Sequence, residues 1–448
     1  MQRLERILAP IRLLAACGGL LAAACGGERP AVAHADEARA RRVAKPPRPG
    51  ACTDVPAGAD LQAVIDAAAD GDTLCLGPGA YDGPVEIAKP LTLWGGGATI
   101  RSKGKGSTVR LSAPGRLLGF AVDGSGGRFD TLDAAVRVQA NDALVEGVTV
   151  RNATFGILVE RSKRAIIRGN HVLGDRRKAL GLRGDGVRLW EAHDCTIEDN
   201  LVEASRDVVV WYSSGNTLRH NTVVDGRYGT HLMYSHRSQV ARNRYVGNTV
   251  GVFVMYSRGV ELLENLLADS AGSAGVGLGV KESGNLEVRR NVFVHNTIGT
   301  YLETSPLQAD DHNLFEENVF RLGDAAIVFH SSQHRNVFRR NSIRDNFAAV
   351  RVEGGGDALD VTWEANDFDD YVGYDMDRDG VGDIPYEQQR LSADLLSRSP
   401  SLEFFRGSLT LALVDAASHV LPLVRPTLVL RDEAPRMAPL PLEFFHGD

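Results

Sequence analysis

Residues 217–257 read TLRHNTVVDGRYGTHLMYSHRSQVARNRYVGNTVGVFVMYS, and this stretch contains the same pattern twice. In each copy an asparagine, Asn221 or Asn243, is followed eight residues later by a glycine, Gly229 or Gly251. Apolar residues then alternate with other residues, which is typical of a β-strand that buries one face. The stretch therefore predicts short strands that are separated by turns and that repeat after 22 residues.

The asparagine of this pattern recurs along most of the chain. It stands at Asn170, Asn200, Asn221, Asn243, Asn265, Asn291, Asn318, Asn341 and Asn366, at intervals of 21 to 30 residues. Leucine-rich repeats need a regular leucine frame that is absent here, and propeller blades need roughly 40 residues. We therefore predict an all-β chain that folds as a right-handed parallel β-helix of the pectin-lyase type. We expect each asparagine to adopt the left-handed conformation at a corner and to bond to its copies above and below.

The segments outside the repeats predict the domain organisation. Residues 1–25 place arginines before a short apolar run, which is typical of an export signal. Cleavage before a lipid-bearing Cys25 and ordinary cleavage near residues 31–35 both fit this signal. Residues 26–50 are charged and Pro-rich and are predicted to be a linker, followed by the β-helix over 51–370. An acidic loop over 371–390 and a Pro-rich tail over 391–448 complete the division, and we expect the tail to dock on the solenoid or on a membrane partner.

The first part of the β-helix region has its own predicted features. Residues 60–69 form an amphipathic pattern behind a capping Asp60, which predicts a short helix that covers the open first coil. The run Thr73–Leu76 is expected to be the first strand. In an oxidising compartment Cys52 and Cys75 are a plausible disulfide pair, and Cys195 is expected to be a small buried residue.

Net charge and composition limit the possible partners. The chain of 448 residues carries a formal charge of −7, with 43% hydrophobic and 24% charged residues. This balance is typical of a folded protein and makes nucleic acid an unlikely ligand. No apolar run beyond the N-terminus approaches the twenty residues or so that a membrane-spanning helix needs.

The strand that follows each glycine predicts an outward face with large apolar residues. If the first and third residues after the glycine face the core, the second and fourth must face outward. This register puts Trp190, Trp211, Met233, Phe253 and Met255 on adjacent coils outside, and Gly277 and Gly279 on the next coil. Exposed apolar patches of this size usually mark an interaction surface. The alternative is that a loop or the C-terminal segment covers them.

Three side chains of this face predict a site for a soft metal ion. His231 and Met233 lie two residues apart on one strand, and Met255 is expected beside Met233 on the next coil. An imidazole with two thioethers suits Cu(I) better than Mg²⁺, Ca²⁺ or Zn²⁺. His236 lies just past the turn and is a further candidate ligand. The alternative is that the methionines serve adaptable protein contacts.

A second set of outward residues carries charge. Glu303, His330 and Glu353 fall in one column, where they are expected to form an ion-paired ladder. The alternative is an acid–base set for a polysaccharide lyase, epimerase or hydrolase. No dense groove of Asp, Arg and Lys accompanies these residues, which favours the ladder and a protein that is not an enzyme.

A motif with the spacing of a calcium loop follows the repeats. Asp375, Asp377, Asp379 and Asp383 occupy positions 1, 3, 5 and 9 of a loop whose sixth residue is Gly380. Position 12 is Tyr386 instead of the glutamate of an EF-hand. We expect a structural Ca²⁺ loop here, and an acidic turn without an ion is the alternative.

The chain resembles the NosD family over about residues 50–435. The most specific likenesses are HLMYSH and GVFVMYS on successive coils and the segment YVGYDMDRDGVGDIPY. The resemblance implies a periplasmic β-helix subunit that helps to assemble the copper–sulfur centre of nitrous oxide reductase. It also implies three partners: an ABC-type ATPase with its membrane permease, a copper chaperone lipoprotein, and the apo reductase. The family is described as copper-binding, which agrees with the proposed Cu(I) ligands, whereas a lipid on Cys25 would depart from the family pattern.

Overall fold

The computed structural model of the protein describes residues 45–331, 334–354, 356–389, 395, 399–405, 408–420 and 428–440. The main regular elements are short parallel strands that form three long sheets. Each coil of chain contributes one strand to each sheet in turn, and about 14 such turns form the solenoid. The prediction of an all-β, right-handed parallel β-helix is confirmed. The predicted signal and the proposed lipid-bearing Cys25 lie outside the described residues.

The three sheets run the length of the solenoid and enclose one apolar core. Sheet 1 consists of Thr53–Val55, Thr73–Leu76, Thr92–Trp94, Arg116–Leu118, Leu144–Glu146, Ile166–Arg168, Thr196–Glu198, Thr217–Arg219, Gln239–Ala241, Glu261–Leu263, Leu286–Arg289, Asn313–Glu316, Asn336–Arg339 and Thr362–Glu364. Sheet 2 consists of Gly79–Asp82, Ala98–Arg101, Ala121–Asp123, Thr149–Arg151, His171–Leu173, Leu201–Glu203, Thr222–Val224, Arg244–Val246, Leu266–Ala268, Val292–Val294, Val319–Arg321, Ser342–Arg344 and Asp367–Phe368. Sheet 3 consists of Val85–Ile87, Val109–Leu111, Ala134–Val138, Phe155–Glu160, Val187–Trp190, Asp207–Trp211, Tyr228–Met233, Val250–Met255, Val276–Lys281, Ile298–Glu303, Ala325–His330 and Ala348–Glu353.

The asparagine ladder lies at the corner between sheets 1 and 2. Each side chain is buried, and from Asn200 onward its oxygen accepts from the backbone and side-chain amides of the asparagine one coil earlier, whereas Asn170 accepts from the Val148 amide. At Asn243 the amide nitrogen donates to the Leu218 carbonyl and to Asn265 at 2.9 and 3.0 Å. The expectation that asparagine itself takes the left-handed conformation is wrong, because the residue before it does so, as Arg242 shows with φ of 55°. The exposed residue before the asparagine therefore makes the turn. The asparagine side chain points inward, where it forms hydrogen bonds with the buried backbone amides and carbonyls of the corner.

The N-terminal end of the solenoid is covered as the sequence predicts. The helix α1, Leu61–Ala67, buries Leu61 and Ile65 in the core, and the Asp60 side chain accepts from the Ala63 amide at 3.2 Å. The side chain of Gln62 pairs with the backbone of Glu86 on the first strand of sheet 3, which has no earlier strand to bond to. This end has one difference from expectation, because the strand Thr53–Val55 precedes Thr73–Leu76 and pairs with it in parallel.

Two cysteine expectations can be compared directly with the structure. Cys52 and Cys75 are joined in a disulfide that ties the residue before the first strand to the second strand. Cys195 is free and buried in the apolar core, and burial raises the pKa of its thiol to about 11. A thiol with a raised pKa is protonated at neutral pH, so Cys195 behaves as a small apolar residue.

The C-terminal end of the solenoid is covered by a returning segment. Strand Leu430–Asp432 pairs antiparallel with Tyr386–Gln388, and Val429 and Leu430 enter the core. The Asp432 carboxylate accepts from both the backbone and the side-chain amide of Asn366 at 2.9 Å, so it ends the asparagine ladder. Further regular elements among the described residues are the helix α2, Leu409–Val420, and two 3₁₀ turns, Leu180–Leu182 and Pro400–Phe405. Within the described residues, no helix has the length and apolar character to cross a membrane.

Candidate metal site on sheet 3

Four consecutive strands of sheet 3 carry the predicted outward face. Their inward residues, such as Val210 and Leu232, are fully buried in the core. The outward residues at the ends of these strands pair side by side in one column: Trp190, Trp211, Met233 and Met255. These four side chains are only partly buried, and no described segment of the chain closes over the column. Sheet geometry alone thus places the tryptophans and thioethers next to each other on the surface.

His231 stands at the centre of this face and contacts two members of the column. Its Nε2 lies 3.3 Å from Met255 Sδ, and its Nδ1 accepts from the indole Nε1 of Trp211 at 3.3 Å. The rings of Tyr228, Trp211 and Phe253 surround the imidazole, with centroid distances of 4.9, 5.3 and 6.1 Å. The imidazole is consequently 5% exposed, although it lies on the outer side of the sheet.

Burial decides the protonation state of His231. Removal from water disfavours the imidazolium and lowers the pKa to about 4, while Asp207 acts against this shift and Arg227 adds to it. The side chain is therefore neutral at neutral pH, which is the form that binds metals. A neutral imidazole beside a thioether, with a second thioether in the same column, is a donor set that suits Cu(I).

The other two predicted ligands differ in how close they come to this centre. Met233 lies in the column between Trp211 and Met255 and adjoins both in the strand register. His236 lies past the corner, where its Nδ1 accepts from the Arg258 amide and its own amide donates to the Ser214 hydroxyl. The described contacts of His236 are thus with groups of the turn that follows the strand. We therefore place His236 outside the candidate site formed by the other three predicted ligands.

The coil after Met255 is two residues out of the expected register. Gly279, instead of Gly277, lies beside Phe253, and Lys281 lies beside Met255. The Phe253 ring occupies the space over Gly279, because a Cβ there would be 2.0 Å from Phe253 Cδ2. The two glycines therefore do not leave this coil open to a partner, as their small size would suggest. The Phe253 ring fills the position of Gly279, and Lys281 and Glu303 form an ion pair at 2.5 Å next to Met255.

An aromatic stack beside the column was missed by the sequence reasoning. Tyr212, Tyr234 and Tyr256 follow Trp211, Met233 and Met255 directly, and their rings stack with centroid distances of 5.3 and 4.9 Å. The signal was present in the sequence as WYS, MYS and MYS on three successive coils. Together with Trp190, which contacts Tyr212 at 5.1 Å, these rings enlarge the aromatic surface around the two methionines.

A buried ion network under the tryptophans was also missed. The Arg188 guanidinium lies 4.9 and 5.1 Å from the Trp190 and Trp211 rings and binds the fully buried Asp185 at 3.1 Å. Arg206 binds the same carboxylate at 2.8 Å. Because the guanidinium is fixed by a buried carboxylate, the network holds Arg188 under the indoles, where the cation–π contact is favourable.

The charged column beyond the candidate metal site forms pairs. Glu303, His330 and Glu353 are neighbours in the register, and His330 Nδ1 lies 3.1 Å from the Glu353 carboxylate. Tyr301 donates its hydroxyl to the same carboxylate at 3.3 Å, and burial together with this carboxylate raises the tyrosine pKa to about 12. Glu303 pairs with Lys281. The described contacts thus have the pattern of an ion-paired column.

The acidic loop brings three of its four predicted ligands together. Carboxylate oxygens of Asp375, Asp377 and Asp379 all lie within 4.8 Å of one another. Asp383 instead accepts from the Met376 amide at 2.7 Å, which closes the loop from the other side. The loop is tied to the returning C-terminal segment, because the Gly382 amide donates to the Pro435 carbonyl at 2.8 Å.

Comparison with known proteins shows similarity to one family. Residues 174–373 match the family described as periplasmic copper-binding protein (NosD). A probable ABC transporter binding protein NosD of Pseudomonas aeruginosa is 27% identical over 420 residues, which cover 82% of this chain and 89% of that protein. The NosD of Stutzerimonas stutzeri is 26% identical and covers 74% and 81%. The chain is thus similar to the NosD family, in its central part to the family model and over most of its length to NosD proteins. The NosD match contains His231, Met233 and Met255, and it ends two residues before Asp375, the first carboxylate of the acidic loop.

Solved structures resemble this chain in fold alone. The catalytic unit of an α-1,3-glucanase from Streptomyces thermodiastaticus is 16% identical, with a TM-score of 0.51 over 72% of this chain and 65% of that one. The A-module of a mannuronan C-5 epimerase from Azotobacter vinelandii is 15% identical, with a TM-score of 0.44 over 67% and 93%. The likeness to the glucanase unit shows a shared solenoid fold.

Proposed function

We propose that this protein accepts Cu(I) in the periplasm at His231, Met233 and Met255 and relays it for assembly of the copper–sulfur centre of nitrous oxide reductase. The observation that carries the proposal is the contact of 3.3 Å between His231 Nε2 and Met255 Sδ. It lies within the segment that matches a copper-binding family. The donors are soft, the imidazole is neutral, and the two thioethers are partly exposed, so an ion can reach them and leave again.

The aromatic surface around this centre supports a docking role. Trp190, Trp211 and Phe253 surround the metal ligands and are neither covered nor fully buried. We propose that this surface receives the copper chaperone lipoprotein and the apo reductase. The names of the relatives indicate association with an ABC transporter, so we propose an ABC-type ATPase and its permease as the membrane partners. These partners, or a lipid on Cys25, would hold the protein at the membrane.

The proposal is tested by titrating the protein with Cu(I) against a chromophoric chelator. Met233→Ala/Met255→Ala removes both thioethers and should weaken binding by more than tenfold. The chain offers a matched control, because Met376 and Met437 are exposed and lie far along the sequence from the site. Met376→Ala/Met437→Ala should therefore bind as the wild type does. Equal affinity of the two double variants would contradict the proposed site.

The proposed role is that of an accessory protein without an enzymatic reaction. The alternative polysaccharide lyase, epimerase or hydrolase would need Glu303, His330 or Glu353 as free acid or base groups. Each of these side chains instead has a charged neighbour in the described structure. Activity on uronate polymers that is lost in His330→Ala would overturn this part of the proposal.

We also propose that Ca²⁺ occupies the loop formed by Asp375, Asp377 and Asp379, with Asp383 supporting it. Three carboxylates with their oxygens together suit a hard cation. The role would be structural, since the loop joins the end of the β-helix, which we place at 51–370, to the tail over 391–448. Added Ca²⁺ should protect the wild type, and not Asp377→Asn/Asp379→Asn, from proteolysis at residues 371–390. Equal protection of both proteins would contradict the site.

A further inference from the structure

The hydrogen bond from Trp211 fixes which nitrogen of His231 carries the proton. An indole nitrogen can only donate, so Nδ1 of the imidazole must accept the bond of 3.3 Å. In a neutral imidazole the single proton then lies on Nε2. This Nε2–H faces Met255 Sδ at 3.3 Å, where the thioether is a weak acceptor. Both ring nitrogens are therefore occupied.

A metal ion cannot bind His231 while this bond persists. Binding through Nε2 needs the other tautomer, in which a proton on Nδ1 would oppose the indole N–H. Binding through Nδ1 needs the lone pair that the indole already uses. On either route Trp211 must release the imidazole. We propose that Trp211 is a positioning residue: its hydrogen bond prevents both ring nitrogens of His231 from binding a metal ion until the indole moves away.

The proton balance of the Nε2 route is simple. Nε2 loses its proton to water, Nδ1 takes one from water, and the Nε2 lone pair forms the bond to the metal ion. The imidazole stays neutral, and no oxidant or reductant is needed. The inference rests on His231 being a ligand in the proposed function.

Release of Trp211 also changes the outer surface. The indole is partly exposed and lies 6.0 Å from the Trp190 ring and 5.1 Å from the Arg188 guanidinium. Its movement would rearrange the aromatic patch that we propose as a docking surface. Metal binding and partner recognition would thereby be linked through one side chain.

The experiment compares Cu(I) affinity in two matched variants. Trp211→Phe keeps an aromatic ring and removes the N–H, so it should bind Cu(I) about threefold to tenfold more tightly than the wild type. Trp94→Phe makes the same change on sheet 1, where the indole donates to the Pro46 carbonyl at 3.1 Å, and should leave the affinity unchanged. Equal or weaker binding by Trp211→Phe would overturn the inference.

A second measurement works even if the variants bind no metal. With ¹⁵N-labelled histidine, the shifts of the wild-type apo protein should show His231 protonated on Nε2 and bare on Nδ1. Trp211→Phe should give a mixture of tautomers, and Trp94→Phe should not. Unchanged shifts in Trp211→Phe would overturn the inference. Failure of the wild type to bind Cu(I) would instead reject the proposed function.

Discussion

At the scale of single residues, the burial of His231 makes stability depend on pH. The folded state lowers the imidazole pKa to about 4, whereas an unfolded chain has a histidine pKa of about 6.5. Between these values the unfolded state takes up the proton more readily than the folded state does. Stability from this group is therefore complete above about pH 6.5 and falls as the pH decreases toward 4.

This linkage predicts a loss of about 2–3 kcal/mol in the free energy of unfolding between pH 7 and pH 4.5 from His231 alone. Urea unfolding of the wild type and of His231→Phe at both pH values measures it. The aromatic replacement cannot be protonated, so its stability should fall less on acidification, by that same amount. Parallel losses in the two proteins would show that His231 does not titrate as described.

The sequence predicted the residues of the metal site better than their contacts. Strand alternation was enough to place Met233 and Met255 in one column, because a side chain's face follows from its position in the strand. It could not show that the Trp211 indole bonds to His231, since that depends on rotamers. It also misjudged the next coil, because the glycines at 277 and 279 fit two registers that differ by two residues and only packing against Phe253 selects one.

At the scale of elements, the asparagine corner stabilises the stack of coils. Asn243 accepts from the Asn221 backbone and side chain and donates to Leu218 and Asn265, all in a fully buried setting. Asn243→Ala leaves several of these buried groups without partners, which should cost about 2–4 kcal/mol of stability. The fall in the urea midpoint measures this loss.

The chain offers a control for this substitution at an exposed corner. Asn141 is exposed and accepts one bond, from the Lys163 amide at 2.8 Å. Because water can replace that bond, Asn141→Ala should change stability by less than about 0.5 kcal/mol. Similar losses for the two variants would mean that ladder position is not what makes the asparagine important.

The repeat made these elements predictable, and one detail shows the limit. The spacing of the asparagines fixed the coil length, and the amide ladder followed from stacking equal residues. Which residue takes the left-handed conformation did not follow, because asparagine favours both that conformation and side-chain bonding to the backbone. At Asn243 the two roles are divided, and Arg242 makes the turn with its side chain in solvent.

At the scale of the whole molecule, a solenoid has two ends that must be covered. The amphipathic pattern at residues 60–69 made the N-terminal cover predictable, because it is local in sequence. The C-terminal cover was not predictable in detail, since Asp432 is 66 residues from Asn366 and no local pattern joins them. In both cases the cover ends a row of unpaired backbone groups that would otherwise favour association with another chain.

Since each coil contacts only its neighbours, a substitution that destabilises the last coil should increase local unfolding at that end alone. Asp432→Ala removes the acceptor for both amides of Asn366, so the last coil should open more often. Hydrogen exchange should then accelerate in Thr362–Glu364 and Asp367–Phe368 and stay unchanged in Thr73–Leu76. Asp432→Asn keeps one acceptor oxygen and should lie in between, while the exposed Glu433→Ala should resemble the wild type. Faster exchange along the whole solenoid would instead show that the C-terminal cover supports the entire fold.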